Sequence, residues 1–167
     1  GNVTPIWNED YAAAMREVYL SHMDDLDVAA LFAEAIMNRT PWLLWDIKTG
    51  KPVEGADTAE AIAVLERAMA TASGMKHPGI LHMYIHLMEM SPHPERALRA
   101  GDALCSLVPD AGHLIHMPTH IDVLCGNYKD VIDRNELATI ADKKYLAREG
   151  AVNFYSLYRC HNYHFKT

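Results

Sequence analysis

Cysteine is scarce in this sequence, and its few thiols do not form a recognisable framework. Three of the 167 residues are cysteine, Cys105, Cys125 and Cys160, and no two of them have a C-x-x-C spacing. An odd number of widely separated thiols is typical of proteins from a reducing compartment. We therefore expect free cysteines, a cytoplasmic protein and no four-cysteine metal site.

Long apolar runs are also missing. No window approaches the roughly eighteen uninterrupted apolar residues that indicate a transmembrane helix. The first four residues have neither the basic nor the apolar stretch of an export signal. The sequence therefore predicts neither a membrane segment nor an export signal. Because the first residue is not Met and the chain stops inside a helix-like segment, we expect it to be part of a longer protein.

Clusters of basic residues and nucleotide-binding motifs are absent as well. The formal net charge is −7, and the lysines and arginines are scattered along the chain. Such a surface would repel phosphates, so no nucleic-acid partner is expected. The sequence has no Gly-rich phosphate loop and no G-x-S-x-G nucleophile motif, which argues against P-loop proteins and α/β-hydrolases.

Apolar residues recur at helical spacing, and runs of alternating β-branched residues are not found, which predicts an all-α fold. Half of the residues are hydrophobic, enough for one core, so we expect a single helical domain over 1–167. Asn8 and the Asp24-Asp25 pair are the predicted caps of the first two helices, and Pro118 should bend a later one. The predicted helices cover residues 8–22, 26–39, 58–71, 78–90, 95–107, 113–125, 128–148 and the start of one over 151–164.

Residues 40–56 interrupt the helical pattern. They include two prolines, two glycines and the tryptophans Trp42 and Trp45. We interpret them as an inserted aromatic loop, and long loops in compact domains are often functional. The two tryptophans either pack the loop onto the helices, which is the commoner role, or contact a ligand bound beneath it.

A pair of histidines four residues apart occurs twice. His82 and His86 recur 34 residues later as His116 and His120. Residues four apart on an α-helix differ by only about 40° in azimuth, so each pair projects from one helix face. Two such helices side by side would bring four imidazoles together, and imidazole is the commonest metal ligand. We therefore predict a metal site between neighbouring helices.

Further polar residues extend this predicted site. Glu89 returns to within about 20° of His82, and His113 lies on the face of the second histidine pair. A looser, earlier copy of the repeat places Glu34 and Asn38 opposite the first pair. We expect His113 to be a fifth ligand, Glu89 to be a ligand or general base, and Glu34 and Asn38 to contact a bound molecule. A metal would offset the cost of burying so many polar groups together.

The repeat also carries a resemblance. A helix-turn-helix unit of 34 residues has the tetratricopeptide period, and Gly126-Asn127-Tyr128 with Val131 and Ala138 resembles the second half of that repeat. Residues 77–94, 111–120 and 161–165 look like those of a group of microbial tetratricopeptide-repeat proteins. The resemblance implies an α-solenoid of antiparallel helix pairs, with about seven or eight helices. It also implies that the paired histidines point into the concave groove.

Several functions stay open at this point. One is a metalloprotein, and potentially an enzyme, that holds zinc, copper, iron or nickel and acts on a small molecule or peptide under the 40–56 loop. Another is a metal-free scaffold that binds a peptide or protein in the same groove, and a third is metal storage or delivery. Neither histidine pair has the Glu that follows the first His of a zinc-metalloprotease helix. His161 and His164 are expected to contact the bound molecule or to complete the site.

Overall fold

Helices make up most of residues 4–166, the part of the chain that the computed structural model describes. The all-α prediction is confirmed, and no described helix is long and apolar enough to cross a membrane. Short 3-10 turns over Gly74–Lys76 and Pro94–Ala97 precede α4 and α5. The elements are α1 Thr4–Ser21, α2 Leu26–Met37, β1 Trp45–Asp46, β2 Lys51–Pro52, α3 Thr58–Met69, α4 Pro78–Met88, α5 Leu98–Leu107, α6 Gly112–His116, α7 Thr119–Leu124, α8 Tyr128–Glu149 and α9 Ser156–Lys166.

Neighbouring helices pack through apolar stripes. Helix α2 lies against α1, α3 and α4, and α4 also packs on α3 and α5. The main core between them includes Phe32, Leu65, Ile85 and Leu104, which are fully buried. Helix α8 packs against α6, α7 and α9 around a smaller apolar cluster. Of the two histidine-bearing segments, α4 is therefore part of the main core, and α6–α7 packs against α8.

The first two helices differ in how well their predicted starts match the structure. Helix α1 begins at Thr4, so the prediction that Asn8 caps it is wrong. Asn8 lies inside the helix, and its side-chain amide donates to the carbonyl oxygen of Asn38 at 2.8 Å. Asp25 does cap α2, because its carboxylate accepts the backbone N–H groups of Asp27 and Val28 at 2.9 and 3.1 Å.

Pro118 was predicted to bend one helix over residues 113–125, but it ends one helix and starts another. The segment forms two helices, α6 and α7, because Pro118 has no N–H to continue the helical ladder. The hydroxyl of Thr119 donates to the carbonyl oxygen of His116 at 2.7 Å and so satisfies a backbone group at the break. Gly112 begins α6 so close to α8 that a Cβ atom there would overlap the Asp142 carboxylate. Helix α6 is thus short and packs closely against α8.

The segment between α2 and α3 contains a short antiparallel hairpin, in which Trp45 pairs with Pro52. The indole N–H of buried Trp45 donates to the carbonyl oxygen of Leu87 in α4 at 2.7 Å. At the other end, the hydroxyl of Thr58 donates to the carbonyl oxygen of Leu44 at 2.6 Å. The first bond holds the hairpin against the first histidine helix, and the second holds the residue before β1 against the start of α3.

Candidate metal centre

Six histidines lie in two groups of three. Within each group, one ring nitrogen from every histidine lies within 4.8 Å of the others. We name these groups the inner triad and the outer triad. The inner triad is His116, His120 and His161, and the outer triad is His82, His86 and His113. The two triads are adjacent, with ring centroids of His86 and His120 6.4 Å apart.

This division differs from the predicted grouping of His82, His86, His116 and His120. His113, at the start of α6, lies with the pair on α4, and its ring centroid is 5.2 Å from that of His82. His161 joins the second pair from α9. Each triad therefore combines residues from two separate segments of the chain.

The nitrogens of the inner triad converge on one point. The Nε2 atom of His120 lies 2.9 Å from Nε2 of His116 and 3.4 Å from Nε2 of His161. Nitrogen ligands that bind one tetrahedral zinc ion at about 2.0–2.1 Å lie about 3.4 Å from each other. The spacing of these three atoms is thus close to that of a three-histidine metal site.

A hydrogen bond defines the tautomer of His116. Its Nδ1 atom lies 2.7 Å from the side-chain oxygen of Asn135. The amide nitrogen of Asn135 donates to the carbonyl oxygen of Val131 at 2.8 Å, so the amide oxygen must be the group that faces the ring. Nδ1 of His116 therefore carries the hydrogen, and in the neutral ring Nε2 has a free lone pair.

Glu89 defines the tautomer of His120 in the same way. One carboxylate oxygen of Glu89 lies 2.8 Å from Nδ1 of His120, and a carboxylate can only accept a hydrogen bond. Nε2 of neutral His120 therefore has a lone pair as well, and it faces the lone pair of His116. Two such atoms 2.9 Å apart repel each other unless a cation lies between them. Metal-bound histidines usually donate their other N–H to a carboxylate or amide oxygen, as both rings do here.

Glu89 also contacts the outer triad. Its second oxygen lies 3.2 Å from Nδ1 of His86, so one carboxylate holds one ring of each triad. Burial raises the pKa of Glu89, but hydrogen bonds from His120 and His86 outweigh this effect and lower the pKa to about 2. Glu89 is therefore ionised at neutral pH. Both of its carboxylate oxygens contact imidazole nitrogens, and its role as a ligand or general base stays a prediction.

The outer triad contains nitrogens without partners. Nε2 of His82 and Nδ1 of His113 are buried and have no hydrogen-bond partner among the described residues. Desolvation by burial, together with nearby imidazoles, lowers the pKa of His82 to about 3 and that of His113 to about 4. Both rings are neutral at physiological pH. A buried polar atom without a partner is costly, and an ion that binds it removes the cost.

Helix α9 completes the centre and is anchored by one carboxylate. Asp142 of α8 accepts the hydroxyl of Tyr155 at 2.7 Å and the side-chain amide of Asn162 at 2.8 Å. Asn162 is adjacent to His161, so these bonds fix the third ring of the inner triad. From the same helix, the ring of Phe165 packs against His116 with centroids 4.9 Å apart.

A cavity of about 670 Å³ opens beside both triads. Three of the predicted site residues do not line this cavity. His116 is fully buried, and Trp45 is in the core. His164 is exposed on α9 and belongs to neither triad. The predicted residues that line the cavity are Glu34, Asn38, Trp42, His82, His86, Glu89, His113, His120 and His161.

Sequence reasoning missed the wall that α9 and the segment before it contribute. Phe154, Leu157 and Tyr158 line the cavity together with His161, and the ring of Tyr158 packs edge-on to His113 with centroids 4.9 Å apart. Positions 154, 157, 158 and 161 follow the i, i+3, i+4, i+7 spacing of one helix face. That spacing is the signal that could have identified them. Asn135 gave no such signal, because its role depends on the packing of α8 against α6.

The buried neutral imidazoles predict that the metal-free protein loses stability in acid. The pKa of His82, and also that of His116, is lowered mainly by burial to about 3 in the folded chain, whereas an unfolded histidine has a pKa of about 6.5. Between these values the unfolded state binds more protons, so the free energy of unfolding falls as pH falls. The expected slope is about 1.4 kcal/mol per pH unit for each such group.

Urea unfolding in the presence of a chelator at pH 7, 6 and 5 measures this slope. We expect His82→Gln to make it shallower, whereas His93→Gln, which changes a histidine exposed far from both triads, should leave it unchanged. A free energy of unfolding that does not change between pH 7 and pH 5 would contradict the expectation.

Comparison of the chain with protein-family models, with curated proteins and with solved structures gives no match. The all-α architecture is compatible with a helical repeat, and no family match supports the tetratricopeptide resemblance. Any functional assignment therefore depends on the geometry of the two triads and the cavity.

Proposed function

We propose that this chain is a tetratricopeptide-like α-solenoid that binds a transition-metal ion in its inner triad and a small molecule in the adjacent cavity. The observation that carries the proposal is the 2.9 Å approach of the Nε2 atoms of His116 and His120. Each ring already donates a hydrogen from Nδ1, so the facing nitrogens need a cation between them. Imidazole ligands suit zinc, copper, iron and nickel.

Three imidazoles are one of the ligand sets found in catalytic zinc sites. Such sites keep a fourth coordination position for water or substrate. His120 and His161 line the cavity, so a fourth position can open toward it. A metal held by three neutral ligands polarises a bound oxygen or generates a metal-bound hydroxide near neutral pH. We therefore propose a metal-dependent enzyme, in which Glu89 and Asn135 orient the ligands.

The cavity supports a small, largely apolar substrate. Its volume of about 670 Å³ lies within the roughly 300–1,000 Å³ that is usual for small-molecule sites. Nine of the eighteen described lining side chains are apolar, and Glu34 and Asn38 add polar groups besides Glu89 and the histidines. Such a lining accepts an apolar body and orients it through a few hydrogen bonds. The apolar lining residues are Met37, Pro41, Trp42, Leu44, Met83, Met90, Met117, Phe154 and Leu157.

Metal content tests the proposal. Protein produced without a polyhistidine tag, in medium supplemented with zinc, copper, iron and nickel, should contain at least one equivalent of a transition metal by elemental analysis. His161→Ala should lower the inner-triad affinity at least tenfold, because two imidazoles hold an ion less tightly than three. His120→Ala should do the same from a different helix.

His164→Ala is the matched control, since His164 is on the same helix as His161 but belongs to neither triad. It should keep the wild-type metal content. Wild-type protein without metal, or His161→Ala protein with unchanged affinity, would overturn the proposal.

One observation favours a second function, a metal-free scaffold that binds a protein segment. Trp42 is 70 % exposed at the rim of the cavity, where it could contact a larger partner. In that case a proton shared by His116 and His120 would replace the metal. The thermal experiment described in the Discussion separates the two functions.

A further inference from the structure

We infer that the outer triad is a second metal site, so that the chain binds two transition-metal ions whose ligands are linked through Glu89. The inference rests on the proposed function of the inner triad and adds a second ion to it. It concerns His82, His86 and His113, which the inner ion does not use.

The unpartnered nitrogens of the outer triad support a second ion. Nε2 of His82 and Nδ1 of His113 are both buried without a hydrogen-bond partner among the described residues. The ring centroids of His82 and His86 are 4.7 Å apart, and those of His82 and His113 are 5.2 Å apart. One ion bound to all three rings would satisfy both of these buried nitrogens at once.

The position of Glu89 gives the second line of support. Its contact with Nδ1 of His86, at 3.2 Å, leaves Nε2 of His86 to bind an ion. Its contact with Nδ1 of His120, at 2.8 Å, likewise leaves Nε2 of His120 to bind the ion of the inner triad. A side chain with one oxygen on each triad orients a ligand of each ion, and its negative charge lowers the repulsion between two cations.

The surroundings favour two cations as well. The cavity that both triads adjoin has two carboxylates, Glu34 and Glu89, and no lysine or arginine among its described lining residues. Two ions beside such a cavity would meet carboxylates and imidazole donors, and no cationic side chain of its described lining.

Metal stoichiometry tests this inference. Tag-free protein stripped with a chelator is titrated with Co²⁺, whose visible absorption reports coordination, and the bound metal is measured after gel filtration. Wild-type protein should bind two equivalents. His82→Ala and His86→Ala should each bind one, His161→Ala should bind one, and His82→Ala with His161→Ala should bind none.

Two further variants define the role of Glu89. Glu89→Gln removes the negative charge shared by both triads and replaces one acceptor oxygen with an amide NH2 group, which cannot accept a hydrogen bond, so it should weaken both cobalt sites by about tenfold or more. Its two cobalt absorption bands should both shift, which a loss of stability alone would not cause. His93→Ala, a surface histidine variant, should bind two equivalents. Circular dichroism confirms that each variant is folded.

The outcomes separate the two proposals. One equivalent in the wild type, unchanged by His82→Ala and His86→Ala but lost in His161→Ala, would overturn the second site and leave the inner site standing. No bound cobalt in the wild type, repeated with zinc and copper, would overturn both.

Discussion

A transition-metal ion at about a thousand times its dissociation constant should raise the melting temperature of this protein by about 8–16 °C. Binding to the folded state alone stabilises it by about 4 kcal/mol at that excess. For a chain of this length, each kcal/mol corresponds to about 2–4 °C. The ion prefers the folded state because the inner triad is assembled from α6, α7 and α9, which come together only on folding. Calorimetry on chelator-treated protein, with and without added zinc or copper, measures the shift.

The variants of the inner triad make this result specific. His161→Ala should lose the part of the shift that the inner ion supplies, whereas His164→Ala should retain the whole shift. An equal shift in His161→Ala would mean that the inner triad does not provide the stabilising site. No shift in the wild type with zinc, copper, iron or nickel would favour the metal-free scaffold.

Replacement of Asp142 by alanine should release α9 and weaken the metal site. The Asp142 carboxylate is 1 % exposed and accepts hydrogen bonds from Tyr155 and Asn162. Asp142→Ala leaves two donors unpaired, at a cost of about 1–3 kcal/mol each, so the free energy of unfolding should fall by about 2–6 kcal/mol. Because His161 is carried by the released helix, zinc affinity should fall at least tenfold. Urea unfolding and zinc titration measure the two effects.

A second aspartate on α8 supplies the control. Asp133 pairs with Lys129 at the surface, and such exposed ion pairs contribute little to stability because solvent screens them. Asp133→Ala should therefore change neither stability nor zinc affinity appreciably. Asp142→Asn should be intermediate, since its single amide oxygen can still accept one hydrogen bond. Wild-type stability in Asp142→Ala would show that α9 is held by other contacts.

Local sequence features were sufficient to predict the helices and the faces that the histidines occupy. Apolar spacing placed α2, α3 and α8 within a few residues of their observed bounds, and the cap at Asp25 was predicted from its side chain alone. The i, i+4 spacing of His82 and His86 placed both rings on one face of α4. These features depend on residues that are close in sequence.

The division into two triads could not be predicted, because it depends on how separate helices are oriented. His113 and His116 lie on the same short helix, α6, yet His113 groups with the pair on α4, whereas His116 groups with His120 and His161. No periodicity in the sequence specifies which neighbouring helix each of these rings meets. The role of Glu89 was hidden for a similar reason, since one of its partners, His120, belongs to a different helix.

The orientation of the two tryptophans could not be predicted from the sequence either. They are three residues apart, yet Trp42 is exposed at the cavity rim and Trp45 is buried with its N–H on the carbonyl oxygen of Leu87. Composition identifies an aromatic segment but not which ring faces inward. Trp45 belongs to the hairpin strand that packs on α4, whereas Trp42 precedes it, and this hairpin was not predicted from the sequence.

The order of the ligands along the chain has a consequence for protein synthesis. A ribosome delivers His82, His86 and His113 well before His161, which is 41 residues beyond His120. All three outer-triad histidines are therefore present on the nascent polypeptide while the inner triad still lacks one imidazole. If both triads bind ions as proposed, the inner triad would acquire its full set of ligands last, once α9 has docked on α8.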